Sequence, residues 1–277
     1  MILILLTMDD VREETAAHDP GLVLFSGDVS TATEFAEATR LYRHAFHYDL
    51  PHLSLNANLL SALGRNGGSA IGIRRDAPDG PMVGFAYGFS ALDPDTHESF
   101  HYSQAAVVHP DLQGKGIGRL LKLRQAEVAR SWGAGLMRWG YNPLFARNGH
   151  FNLDSLGGTG RKFVIDYYGR PHSDRLLVEW DLDAAGDPHA AEHERPIPGS
   201  IRDAAPAVAV PDSQGVWIPI PSGLVADNVD EAGAQDVRDT LRQTLREVTS
   251  HGLALVSCRR LGPDISVYRA VPDQEAA

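Results

Sequence analysis

Val107-Val108-His109-Pro110-Asp111-Leu112-Gln113-Gly114-Lys115-Gly116-Ile117-Gly118 is the stretch on which the reading of this chain turns. It joins a run with strand character, Phe100 to Val108, to an amphipathic run that reads as a helix to about Trp132. Gly114, Gly116 and Gly118 alternate with Lys115 and Ile117 where the strand gives way to the helix. A backbone this rich in glycine turns tightly and aims several free N–H groups at one point. That point lies at the positive end of a helix dipole, which suits a phosphate or pyrophosphate.

Known phosphate loops differ in spacing. A Walker loop needs glycine, four residues, then Gly-Lys-Ser/Thr, and nothing here fits. A dinucleotide fingerprint needs Gly-x-Gly-x-x-Gly directly after a strand. Here the glycines follow Gly-x-Gly-x-Gly, and His109 to Gln113 intervene.

Working toward the amino terminus, Thr31 and Glu34 have capping-box spacing. Phe35, Ala38, Tyr42, Ala45 and Phe46 then recur at helical spacing, and Pro51 is expected to end that helix. A second helix is expected around Leu53 to Leu63, stopped by Gly64 and Asn66-Gly67-Gly68. Ala70 to Arg74 and Met82 to Phe89 read as strands split by the turn Asp76 to Pro81. Toward the carboxyl terminus, Leu136 to Tyr141 reads as a strand and Phe145 to Leu156 as a helix. Phe163 to Tyr168 and Leu176 to Leu182 read as a strand pair. Residues 183–213 are rich in Ala, Pro, Asp and His without a sustained period, so a linker or surface excursion is expected. Val216 to Ile220 reads as a strand. Ala234, Val237, Leu241, Leu245 and Val248 form a helical stripe, and two strands follow around Gly262-Pro263-Asp264. The expected organisation is a main domain over 1–182, the linker, and a small extension over 214–277 docked on the main domain. The expected class is α/β (α+β), a central mixed, mostly antiparallel sheet flanked by helices.

The net charge of −11 argues against a general nucleic-acid binder, whose affinity comes from Lys and Arg neutralising phosphates. It leaves small amine substrates open. Cys258 is the only cysteine, so no disulfide forms within the chain and a reducing compartment is expected. It sits in the apolar run Leu253 to Cys258 and reads as a buried small hydrophobe. Met1 to Leu6 is apolar but short for a signal peptide and lacks a basic flank. No stretch approaches the ~20 apolar residues of a membrane span. The expectation is a soluble, cytoplasmic protein with no membrane or nucleic-acid partner. The His and acidic residues show no compact ligand spacing, so no metal is expected.

Gln113-Gly114-Lys115-Gly116-Ile117-Gly118 resembles the Gln/Arg-x-x-Gly-x-Gly/Ala pyrophosphate motif of the GNAT acyltransferases. The Val-x-Pro strand end before it is also typical of that family, and the element order resembles it over about residues 20–182. Trp139 to Gly157 is similar to a signature of one branch of the family, Trp-x-x-Asp-Pro-Leu-x-x-x-Asn-Ala-x-x-Asn-x-x-x-Leu-Gly. Asn142 replaces the usual Asp and Gly149 the usual Ala. The C-terminal strand, helix and two strands are similar as well. The resemblance implies a GNAT fold with a C-terminal helix-plus-strands extension. It also implies acetyl-CoA or succinyl-CoA as co-substrate, and transfer to a small-molecule amine, an amino acid being the expected acceptor. A non-catalytic acyl-CoA-binding module and a protein N-acetyltransferase are the alternatives, and a homodimer is compatible with either.

Acyl transfer needs a held thioester, a neutral amine and a proton for the leaving thiolate. Gly114, Gly116, Ile117 and Gly118 are the expected backbone grip on the pyrophosphate, with Gln113, Lys115 and Arg119 beside them. The resemblance implies that the pantetheine arm pairs with the Val107–Val108 backbone, whose N–H groups can also polarise the thioester carbonyl. It further implies that Asn148 touches the cofactor. Many relatives protonate the thiolate with a Tyr where this chain has Ser155, so Tyr141, Tyr167 and Tyr168 become the candidate acids. Glu98 and His101, near the start of the central strand, are the candidate bases. His44 and His47 are candidate substrate-side residues. Arg138, Arg147, Arg161 and Lys162 are candidates for clamping a substrate carboxylate.

Overall fold

Thr31 opens the first helix as expected. Its hydroxyl accepts the Glu34 N–H (3.3 Å), while the Glu34 carboxylate accepts the Thr31 N–H (2.9 Å). Helix α1 (Ala32–Phe46) buries Phe35, Ala38 and Leu41 and stops at His47, whose backbone is left-handed (φ 53°). Pro51, the expected stop, lies outside the residues that the computed structural model describes, which are 12–15, 21–48, 53–224 and 233–273. Helix α2 (Ala57–Gly64) starts later than expected, because the Asn56 side chain accepts the Asn58 and Leu59 N–H groups and caps it there.

The fold is α/β, and the chain divides into two compact units, 1–137 and 138–277. The first unit carries an antiparallel sheet in sequence order: β1 (Arg12–Thr15), β2 (Val23–Asp28), β3 (Gly68–Arg75), β4 (Met82–Leu92) and β5 (Ser99–Val108). The strands β1 and β2 have no counterpart in the sequence reading. Helix α3 (Ile117–Ser131) covers one face through Ile117 and Leu121, packed on Leu24, Ile71, Ile73 and Ala86. Helices α1 and α2 cover the other, where Phe35, Ala38, Leu41 and Leu60 meet Met82, Phe85 and Val107. Leucine- and phenylalanine-sized side chains buried this way contribute about 2 kcal/mol each.

The boundary between the units falls inside β6 (Leu136–Tyr141). The second unit continues with α4 (Ala146–His150), a turn of π-helix over Phe151–Ser155, β7 (Thr159–Val164) and β8 (Arg175–Asp181). Then come α5 (Ala190–Glu194), β9 (Val210–Asp212), β10 (Gly215–Pro221), α6 (Ala234–Ser250), β11 (Leu253–Arg260) and β12 (Ile265–Pro272). Its sheet runs β6-β8-β7-β11-β12-β10-β9. The single helix expected over Phe145 to Leu156 is therefore a short α-helix followed by a π-turn.

Residues 138–182 thus belong with the C-terminal strands, which differs from the division at 182 suggested by composition. The physical reason is the antiparallel pairing of β11 with β7, which makes the C-terminal strands a continuation of the sheet rather than an appendage. The stretch 183–213, expected to be a linker or excursion, carries α5, a 3₁₀ turn at Gly199–Asp203 and β9. Ile201 of that stretch is fully buried against Trp217 and Val267. Charge holds it as well. Arg269 of β12, with no exposed side-chain surface, donates to Glu192 of α5 (2.9 Å) and Asp212 of β9 (3.0 Å). The same guanidinium lies 4.7 Å from the centre of the Trp217 ring.

Glu192 also pairs with Arg195, and Asp212 also accepts from the Trp217 indole, so losing Arg269 removes two charge-assisted hydrogen bonds and its packing on Trp217, at a cost of about 2–3 kcal/mol. Arg269→Leu should therefore lower the urea midpoint of the transition followed by tryptophan fluorescence by that equivalent. An unchanged midpoint would mean that Arg269 does not hold residues 183–213 in place.

Candidate functional site

The glycine turn forms where the sequence places it. The His109 N–H donates to Val83 O (2.9 Å) and keeps the end of β5 on β4. A short 3₁₀ turn, Pro110–Leu112, follows, capped by the His109 ring, whose Nδ1 accepts the Asp111 N–H (3.4 Å). Gly114 and Gly116 then adopt left-handed backbone, φ 83° and φ 90°, where a side chain is strained. Gly116 is the N-cap of α3 and supplies no side-chain cap, so the first turn of the helix presents bare backbone. Ile117 is buried and anchors that turn to the sheet, while Gly118 and Arg119 follow on the helix. Gln113 Nε2 lies 3.5 Å from Val108 O. Val107 is buried on the α1 side of β5, and Val108 packs toward α3.

A second geometric fact belongs to the same end of the sheet. The His44 ring, near the end of α1, lies 5.2 Å from the His109 ring. The first unit therefore brings α1, the end of β5 and the glycine turn to one place. His109 is absent from the residues selected by sequence; its position between Val108 and Pro110, at the strand end itself, was the available signal.

Of the expected proton carriers, Glu98 and His101 lie in the first unit and Tyr141 and Tyr168 in the second. Glu98 is exposed in the hairpin between β4 and β5, where its carbonyl accepts the Asp93 N–H. It precedes the first residue of β5, about 30 Å along the strand from the turn. His101 is fully buried nearer that same far end, with Nε2 3.0 Å from Ser69 Oγ and its ring stacked 5.4 Å from Trp132. A Cβ on Gly88 would sit 2.4 Å from the imidazole, so no substrate reaches it from that side. Tyr141 is buried in the second unit, its hydroxyl 3.4 Å from that of Tyr268, and burial pushes its pKa well above the ordinary value. Tyr268 in turn donates to Pro143 O at 2.8 Å. Tyr168 is partly exposed, edge-on to Tyr167 at 5.0 Å and under Arg175 at 4.9 Å. Within the first unit, Glu98 and His101 are at the opposite end of β5 from the turn.

The remaining candidates sort by contact. Asn148 is exposed on α4, and its carbonyl accepts from Asn152 Nδ2 (2.8 Å), whose Oδ1 accepts the Trp139 indole N–H (2.7 Å). The paired asparagines thus lock Trp139 onto the helix. Arg138 and Arg161 pair with Glu179, and Arg161 also with Asp273. Cys258 is buried with its thiol 3.5 Å from Ala146 O, and burial pushes its pKa far up, as an inert thiol requires. Among the described residues no cluster of metal ligands occurs, and no helix is long and apolar enough to cross a membrane.

One buried polar cluster was not anticipated. Lys122 of α3 is buried and donates to Ser103 Oγ (2.8 Å), which donates to Gln125 Oε1 (2.8 Å). Burial pushes the Lys122 pKa well down. His101, beside it, falls to about 4, first through burial and second through repulsion from Lys122.

No protein-family model and no curated protein sequence matches this chain. Solved structures do. The chain is similar to GNAT acetyltransferase structures. Ribosomal-protein-S18-alanine N-acetyltransferase from Escherichia coli is 15% identical, over 60% of this chain and 97% of that one, with a TM-score of 0.45. The yncA structure from Salmonella typhimurium, which holds its cofactor acetyl-CoA, is 22% identical over 59% of this chain and 97% of that one (TM-score 0.46). A GNAT-family structure from Desulfovibrio desulfuricans is 16% identical over 57% and 99% (TM-score 0.45).

The His101 environment makes a prediction with a definite sign. Its folded pKa of about 4 lies below the ordinary 6.5, so the unfolded chain binds the extra proton. Stability from this site is complete above pH 6.5 and is lost as pH falls toward 4. The full difference is about 3 kcal/mol, from 2.5 units at 1.36 kcal/mol each. His101→Leu should flatten urea stability between pH 7 and 4.5 by about 2 kcal/mol relative to the parent. Parallel pH profiles for the two proteins would refute a buried neutral imidazole.

Proposed function

We propose that this chain is a coenzyme-A-dependent N-acyltransferase, moving an acetyl or succinyl group from the thioester to the amine of a small molecule, with an amino acid as the expected acceptor. The observation that carries the reading is the left-handed pair Gly114 and Gly116, which closes β5 onto the uncapped first turn of α3. Backbone N–H groups at such a turn favour a pyrophosphate through direct hydrogen bonds and the helix dipole. In this reading Gly114, Gly116, Ile117 and Gly118 supply the N–H groups. Lys115, Arg119 and Gln113 flank them, and the β5 end at Val107 and Val108 supports the pantetheine arm.

The reaction needs little from the protein beyond placement. The amine nitrogen attacks the thioester carbonyl carbon, forming the N–C bond; the C–S bond breaks, the nitrogen loses a proton and the thiolate gains one. Held reactants and a polarised carbonyl supply most of the acceleration such a step requires. The imidazoles at the carboxyl end of β5 are His44 and His109, and they replace Glu98 and His101 as the groups to test for proton transfer. Tyr141 and Tyr168 are not retained in that role, and Asn148 stays a candidate cofactor contact by resemblance alone.

A second reading, acyl-CoA binding without turnover, is favoured by one observation: Ser155 occupies the position where relatives carry a tyrosine acid. A thiol-release assay separates the two. Acetyl-CoA and succinyl-CoA are offered against pooled amino acids and polyamines, with Gly116→Glu as the comparison protein. The transferase reading expects acceptor-dependent thiol release, reduced at least 100-fold in Gly116→Glu, whose side chain meets a left-handed backbone and puts a carboxylate at the anion site. Acetyl-CoA raising the melting temperature of the parent without thiol release from any pool would establish the binding module instead.

A further inference from the structure

The last turns of α1 build an open, basic depression whose His44 side faces His109, which follows β5. We propose that this cavity binds a carboxylate carried by one of the two substrates, so that the enzyme selects either an acceptor amine or an acyl group bearing a free acid. The inference rests on the acyl-transfer reading for the word substrate, but not for the existence of the site.

Arg40, Arg43 and His44, all exposed, and the half-buried Tyr48 line this shallow cavity, a depression of about 220 Å³ that is open to solvent. The first three share one face of α1 by their spacing. Tyr48 is brought opposite them by the left-handed residue His47, φ 53°, a conformation a non-glycine residue adopts at a cost. Two hydrogen bonds close the turn: the Tyr48 N–H donates to Arg43 O (3.0 Å) and Arg43 Nε donates to Tyr48 O (3.1 Å). The Tyr48 ring is then stacked on Phe46 at 5.4 Å and leans on Tyr42 at 5.8 Å. The phenol and one guanidinium are therefore held in place before any ligand arrives.

Charge points the same way. The carboxylates of α1 are used one to three turns earlier. Glu34 caps the helix and reaches Arg74 at 3.5 Å; Glu37 pairs with Arg74 (2.9 Å) and accepts the Met82 N–H (2.7 Å). The cavity end of the helix thus carries Arg40, Arg43 and His44 with no acid from its own helix, in a chain of net charge −11. A helix C-terminus disfavours anions through its exposed carbonyls. Here the Arg43 carbonyl is taken by the Tyr48 N–H. Guanidinium groups then offer forked donors that match a carboxylate.

Shape and place narrow the ligand. An open depression with two guanidinium groups and one phenol along it can seat the acid group of a ligand while the rest of the molecule extends past its rim. Its His44 side lies 5.2 Å, ring to ring, from His109, the residue that follows β5. A carboxylate seated there has its chain directed along the edge of the proposed transfer site. Both an amino acid acceptor and a succinyl donor carry such a group, and the experiment separates them.

Succinate and succinamide would be titrated calorimetrically into the full chain and into Arg40→Gln/Arg43→Gln, with acetyl-CoA titrated in parallel. The proposal expects succinate to bind the parent and to bind the double variant at least tenfold more weakly, with no binding of succinamide. Acetyl-CoA affinity should change less than twofold. Equal succinate binding to both proteins, or binding to neither, overturns the cavity as a site. A loss of acetyl-CoA affinity in the variant with succinate unmoved assigns the cavity to a cofactor phosphate and also overturns it. Failure of acetyl-CoA to bind the parent overturns the acyl-transfer reading alone, and the succinate result still judges the cavity. In thiol release, a KM raised at least tenfold for amino acids but not their amides identifies the acceptor as the source. The same rise confined to succinyl-CoA identifies the donor.

Discussion

The close approach of α3 to the sheet at Gly84 is the constraint on which the candidate site depends. A Cβ at Gly84 would lie 2.8 Å from Ile117 Cγ2 and 3.2 Å from Ile73 Cβ, so only a missing side chain lets the first turn of α3 rest there. Gly84 is the register partner of Val108, the last residue of β5. The position that admits Ile117 therefore sits beside the strand end from which the turn departs. With both ends set, the intervening residues must reverse within a short span, and Gly114 and Gly116 take the left-handed backbone that such a reversal needs. A bare helix start with oriented N–H groups follows from packing, not from any side chain that contacts a ligand.

The second unit is held differently, by buried polar groups anchored to its C-terminal strands. Asp154 on the π-turn accepts the Ser257 hydroxyl (2.6 Å) and the Cys258 N–H (2.7 Å) of β11. Arg242 of α6 forks onto Asp174, at 2.8 and 2.9 Å. Gly149 gives Tyr268 and Cys258 room to pack, since a Cβ there would lie 2.5 Å from the Tyr268 hydroxyl. This explains why Gly149 stands where alanine is usual in the resembling signature, and why Tyr141 is occupied by Tyr268. The C-terminal strands are part of what folds α4, so residues 138–277 act as one unit.

Much of this was legible before any coordinates. The capping box at Thr31, the apolar stripes of α1, α3 and α6, and the strand–turn–helix around Gly114 each depend on neighbours close in sequence. What was missed depends on partners far away. The strand Val23–Asp28 is short, and it is recognisable only through its pairing with β3. Residues 183–213 lack a period because their order comes from beyond the stretch, from Trp217 packed on Ile201 and from Arg269, 77 positions after Glu192 and 57 after Asp212. Glu98 and His101 were chosen for belonging to the central strand. Strand direction puts them at its amino end, away from the glycine turn that follows its carboxyl end. His44 meets His109, and Tyr48 meets Arg43, only through the fold, so the spacing along α1 does not reveal either contact.

The central claim is that bare backbone at Gly114 to Gly118 receives the pyrophosphate of coenzyme A. Amide chemical-shift mapping of the labelled full chain with coenzyme A tests it at the atoms concerned. The account predicts that the largest saturable shifts fall on the N–H groups of Gly114, Gly116, Ile117 and Gly118. Binding whose largest shifts lie outside the turn, or no saturable shift at these amides, would contradict it.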